Sequence, residues 1–165
     1  MCSSIVYTAL AMTLRITLLA VLLAMTPLGA ADPDKPVFWS AGRLKEIDKK
    51  IASNVDPARH LGLERLLDSA TVIYRVGPSE AEIHLKLADF IFVRSGEGTV
   101  LVGGSIVEGR QSAPDEMRGK AIEGGVRYPL AAGDSIYIPA NTVHQFLVEP
   151  GMNFTATIVK ITPKP

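Results

Sequence analysis

The side chains best suited to chemistry in this chain are two histidines, His84 and His144, and three ionisable residues near the first of them, Glu82, Lys86 and Asp89. Side chains alternate faces along a strand, so in EIHLKL Glu82, His84 and Lys86 share one face while Ile83, Leu85 and Leu87 take the other. A row of ionisable groups is an unusual filling for the inside of a small barrel. His144 ends the segment GDSIYIPANTVH, in which a Gly-Asp turn and a Pro-x-Asn turn can bring it opposite that row. The two segments therefore read as one site. Neutral imidazoles and a carboxylate are donors for a divalent ion, whereas a protonated Lys86 has no lone pair, repels a cation and suits an anion. Lys86 can equally pair with Glu82, two residues back on its own row.

The elements that must position these groups read as strands from residue 63 onward. Residues 70–76, ATVIYRV, are β-branched and aromatic, and Gly77-Pro78-Ser79-Glu80 is a turn into the row that holds His84. Tyr74 and Arg75 face opposite sides; with Tyr74 inward, its hydroxyl is a donor to a ligand. Residues 90–94 and 99–102 form two strands joined by Ser95-Gly96-Glu97-Gly98 as a hairpin, and a short strand follows at 105–107. Residues 108–120, EGRQSAPDEMRGK, read as a polar loop, long enough for a lid or a subunit contact. Residues 121–127 resume a strand. Ile136, Ile138, Phe146 and Val148 are core candidates, and residues 154–161, FTATIVKI, close the set. The count is about nine strands with short turns and no second helix, which fits a double-sheet jelly roll holding a ligand cavity.

Ahead of the strands, Ser40 caps a helix over residues 41–52, with Leu44, Ile47 and Ile51 on its apolar stripe. Phe38 and Trp39 read as anchors for the segment before it, and His60 as a solvated or locally bonded histidine.

The segment ending at His144 resembles the second motif of the cupin family, Gly-x5-Pro-x-Gly-x2-His, as Gly133-x5-Pro139-x-Asn141-x2-His144, with asparagine at the second glycine. Asparagine tolerates positive φ better than most residues. The earlier segment resembles the first motif as His84-x-Lys86-x2-Asp89-x6-Gly96, with lysine at the second histidine and aspartate for glutamate. The resemblance spans roughly residues 66–160 and is to small single-domain bacterial cupins. It implies an all-β fold, a double-stranded β-helix (jelly-roll) barrel with one short N-terminal amphipathic helix. It implies His84, Asp89 and His144 as ligands of one divalent metal, iron, manganese, nickel or zinc, and a homodimer. Glu82, Lys86 and Tyr74 are then the side chains expected to meet a small-molecule ligand, anionic if Lys86 is charged, and Lys86 or Tyr74 to orient or protonate it.

Three functions stay open at this point. Cupins include metal-dependent dioxygenases, isomerases and lyases that act on small carboxylates or sugars. An exported protein that binds a small anion without metal is the second, and an interaction module with no small-molecule role the third.

Composition narrows the setting. The chain has 165 residues, 47% hydrophobic and 21% charged, enough apolar material for one domain. Residues 16–31, ITLLAVLLAMTPLGAA, follow Arg15, carry no charge and give way to a polar stretch, the layout of a cleavable secretory signal. Gly29 and Ala31 suit the −3 and −1 positions, so cleavage is expected after Ala31, delivering residues 32–165 to the periplasm or medium. An uncleaved anchor is the alternative, but Thr26-Pro27 interrupts the run short of the ~20 residues a span needs. The expected layout is a signal at 1–31, a leader and helix at 32–65 and the barrel at 66–165. Cys2 is the only cysteine, so the mature chain has none and no disulfide. Its charge is close to neutral, with no basic stripe interleaved with aromatics, which argues against nucleic acid as a partner.

Overall fold

The computed structural model describes residues 35–164. The expected signal and the cleavage point after Ala31 lie outside them. One helix, α1 (Ala41–Ala52), precedes twelve strands among the described residues. In order they are β1 (Leu61–Leu67), β2 (Ala70–Arg75), β3 (Ala81–His84), β4 (Ala88–Val102), β5 (Ser105–Val107) and β6 (Arg110–Ala113). They continue with β7 (Glu116–Gly119), β8 (Ala121–Glu123), β9 (Val126–Ala131), β10 (Ser135–Ile138), β11 (His144–Leu147) and β12 (Phe154–Ile161). Every pairing is antiparallel, and ten strands curl into one sheet in the order β1-β2-β12-β4-β11-β3-β7-β6, with β9 and β10 also on β4. This is the jelly-roll barrel with one short helix that the sequence implies.

The helix forms where its cap and stripe place it. Ser40 Oγ accepts a hydrogen bond from the Arg43 amide at 3.1 Å, satisfying one of the first-turn donors that lack a partner in the helix. Ile47 and Ile51 are buried against Val72, with Trp39, Leu44, Leu66 and Tyr74 around them. Its last turn sits so close to β1 that a Cβ at Gly62 would collide with the Ile51 carbonyl, so the docking needs glycine there. Trp39 joins this cluster, but Phe38 is 88% exposed and anchors nothing.

Residues 88–102 are one strand, not the two strands and hairpin expected. The first half of β4 pairs with β10 and β12, and the second half with β9 and β11. Gly96 takes φ +73°, and the register against β12 shifts beside it, so the glycine bends the strand across the corner of the barrel instead of reversing it. The Glu97 amide then donates to the Asn153 carbonyl at 3.0 Å. A glycine with positive φ serves a corner as well as a turn, which is why the local sequence misleads.

Residues 108–120 are likewise not a loop. They contain the β6–β7 hairpin, and β7 pairs with β3. The chief core is Leu61, Ile73, Ile91, Val93, Val100, Leu130, Ile138, Phe146, Val148, Phe154 and Ala156, with Ile136 packed against it. It fills one part of the barrel. The polar cluster described next fills another.

Candidate metal centre

β3 turns Glu82 and His84 inward, β4 contributes Asp89, β11 begins on His144, β7 adds Glu116 and Arg118, and β12 adds Lys160. Strand register makes these residues neighbours, because side chains opposite one another across a ladder lie on the same face. Glu82 is opposite both His144 and Arg118, His84 is opposite Glu116, and Asp89 is opposite Lys160. His144 is delivered as its motif predicts. Asn141 takes φ +59°, and its amide donates to the His84 carbonyl at 2.8 Å, tying the second motif to the first.

The two imidazoles are held by one nitrogen each. His144 Nδ1 lies 3.0 Å from the Thr142 carbonyl, and His84 Nδ1 lies 3.3 Å from Glu116 Oε2. A proton on each Nδ1 suits its partner and turns Nε2 toward the shared space, the arrangement that orients histidine toward a metal; His144 gives up its Nε2 proton when an ion binds. Both Nε2 atoms are buried without a hydrogen bond. They face the same acids: Asp89 Oδ2 is 3.6 Å from His84 Nε2 and 3.3 Å from His144 Nε2, and Glu82 Oε1 is 3.4 Å from His144 Nε2. Glu82, His84 and His144 each offer a ligand atom, all within 4.8 Å of one another. Buried polar atoms without partners are costly. Here they converge on one space, and their types are those of a two-histidine, one-carboxylate centre.

Charge is distributed unevenly. Burial alone would lower the pKa of His144, but Asp89 and Glu82 outweigh it and push the group up to about 9. His84 is lowered, by burial first and then by Lys160, so its imidazole is neutral at neutral pH. Burial works against ionisation of Glu82 and Asp89, yet both carboxyls lie below their usual range, Glu82 through His144 and Arg118, Asp89 through His144 and Lys160. Arg118 binds Glu82 at 2.8 Å and Glu116 at 2.7 Å, and Lys160 reaches Asp89 Oδ1 at 2.5 Å.

Lys86 and Tyr74 are not in this cluster. β3 ends at His84, and the chain bends at 85–86, where the Leu85 amide donates to the Asp115 carbonyl. The Lys86 side chain is 74% exposed and pairs with Asp115 at 3.0 Å, outside the barrel, because the alternation that aims it inward stops with the strand. Tyr74 packs toward the helix cluster, and Arg75 is the buried member of that pair. Docking of α1 on β2 decides which face is outer, which alternation alone leaves open. His60 is exposed and apart from the two other histidines. Glu116, Arg118 and Lys160 escape the sequence reading. The available signals were charges at alternate positions in EMR and a lone lysine in an apolar closing strand.

A bent β4 shared by two antiparallel layers, with a histidine pair inside from β3 and from the Gly133–Pro139–Asn141 turn segment, decides the architecture. The fold is an antiparallel jelly-roll barrel with one short helix, the architecture that the motif resemblance implies. No protein-family model matches the sequence, and no curated protein matches it. Among solved structures the chain is similar to a protein of Bacillus halodurans, 19% identical, covering 81% of this chain and 87% of that one with a TM-score of 0.46. It is similar to a Cupin 2 conserved barrel domain protein from Salinispora arenicola, 17% identical, covering 66% and 82% with a TM-score of 0.43. It is also similar to the polyketide cyclase RemF from Streptomyces resistomycificus, 16% identical, covering 64% and 68% with a TM-score of 0.45. At these identities the likeness concerns strand arrangement and carries nothing about substrate.

Proposed function

We propose that this barrel binds a divalent metal ion on His84, His144 and Glu82, with Asp89 facing both imidazoles, and presents it to a small oxygen-bearing molecule. The observation that carries this reading is the pair of buried Nε2 atoms, each oriented through its own Nδ1 and neither hydrogen-bonded. Lys160 pairs with Asp89 Oδ1, which leaves Oδ2 toward both imidazoles. Glu82 offers a carboxylate oxygen beside the two imidazole nitrogens. A bound ion of this class polarises a coordinated oxygen.

The surrounding charges favour an acidic molecule. With the proton of His144 given up to the metal, Glu82, Asp89 and Glu116 face Arg118 and Lys160, which leaves one negative charge. A dication turns that to one positive charge, in a setting where burial strengthens attraction for an anion.

The test is elemental analysis of protein purified without chelator or affinity metal, beside His84→Ala and His144→Ala. Iron, manganese, nickel or zinc near one ion per chain, absent from both variants, is the expected result. A wild-type protein that is metal-free and takes up no added ion sinks the reading.

A further inference from the structure

A cavity of about 540 Å³ opens beside the metal cluster, between residues 58–60, the turn at 78–80 and the segment that carries β6 and β7. Its volume lies within the ~300–1,000 Å³ typical of small-molecule sites. The lining is basic: Arg59, Arg75, Arg110, Arg118 and Lys120 outnumber the acids Glu80 and Glu108. Three of these cations are already matched. Arg110 pairs with Glu80 at 2.7 Å, Lys120 with Glu108 at 3.6 Å, and Arg118 with Glu82 and Glu116.

Arg75 has no such match. It is 7% exposed, yet among the described residues it forms no ion pair. Its Nη1 donates to the Arg59 carbonyl at 3.3 Å, and its Nε is buried with no partner. The guanidinium lies 5.4 Å from the centre of the Phe146 ring, a contact that orients a cation without neutralising it. Glu82 is the acid whose field it feels, but Glu82 is already bonded to Arg118. Burial lowers the pKa of Arg75 to about 10, so it stays charged at neutral pH. A buried, unpaired charge that lines an open cavity is costly unless something fills the cavity and pairs with it.

We propose that this cavity is an anion site in which Arg75, helped by Arg59 at the rim, takes the oxyanion of a small molecule, a carboxylate or a phosphate. A guanidinium matches either group with two parallel hydrogen bonds. The site differs from the Lys86 pocket that the sequence suggests, and it does not depend on a metal being bound.

Calorimetric titration at low ionic strength with succinate and with inorganic phosphate, run separately, tests it and tells the two sources apart. The variants are Arg75→Met, Arg59→Ala and His84→Ala. One probe is expected to bind saturably at one per chain, about tenfold or more weaker in Arg75→Met and more weakly in the exposed Arg59→Ala. His84→Ala is expected to bind as wild type does. Arg75→Met is expected to melt no lower than wild type when no anion is present, because it loses a buried unpaired charge. Should it fail to fold, Arg59→Ala still decides. The proposal is overturned if neither probe binds, if folded Arg75→Met binds as tightly as wild type, if Arg59→Ala does so where Arg75→Met does not fold, or if binding vanishes in His84→Ala alone, which would put the anion on the metal.

Discussion

Lys160 and Arg118 matter at the scale of single residues because each neutralises a carboxylate that faces the histidines. Lys160→Met leaves buried Asp89 with His144 as its one remaining cation, so the metal-free protein is expected to lose about 1–3 kcal/mol in urea unfolding. An added divalent ion should restore part of that loss, and a variant as stable as wild type would show that Asp89 needs no partner besides His144. Glu82→Gln keeps the shape of the side chain but removes a donor charge. Metal affinity measured by competition with a chromophoric chelator is expected to fall about tenfold or more, while Arg118 keeps Glu116. Lys86→Ala is expected to change neither metal content nor stability by more than about 0.5 kcal/mol, since its ion pair with Asp115 is exposed. The histidines were legible from their motif spacing. Glu116, Arg118 and Lys160 were not, because each enters through a partner strand whose register no local pattern encodes.

β4 and the β6–β7 hairpin are the elements on which the barrel turns. Gly96 combines positive φ with a backbone approach so close that a Cβ would collide with the Asn153 carbonyl. Gly96→Ala is therefore expected to destabilise the fold by about 2–4 kcal/mol in chemical denaturation, far beyond an ordinary surface change. A loss of a few tenths would mean that the corner is not where the strand is constrained. The helix was legible down to its bounds because capping and a three-to-four residue stripe are local. The long strand was not, because Ser-Gly-Glu-Gly satisfies a hairpin and a bend equally well until β12 and β9 pair on either side of it. The polar 108–120 segment pairs for the same reason. β7 has little apolar content of its own, and β3 supplies the ladder.

For the whole molecule, export is the proposal that reaches furthest beyond the barrel. Expressed with residues 1–31 in a bacterium, the chain is expected in the periplasmic fraction with Asp32 at its N-terminus by mass spectrometry; a cytoplasmic product that keeps residues 1–31 overturns it. Among the described residues no helix is long and apolar enough to cross a membrane. The sequence by itself determined the all-β jelly-roll class, the capped helix and the turn that aims His144, because alternation, capping and positive φ act between residues a few positions apart. Only the tertiary structure decided which side of β2 is inside, that Lys86 is outside, and which cations face Glu82 and Asp89. Those outcomes depend on strand register and on where the helix docks, and both are set by long-range packing of the whole core.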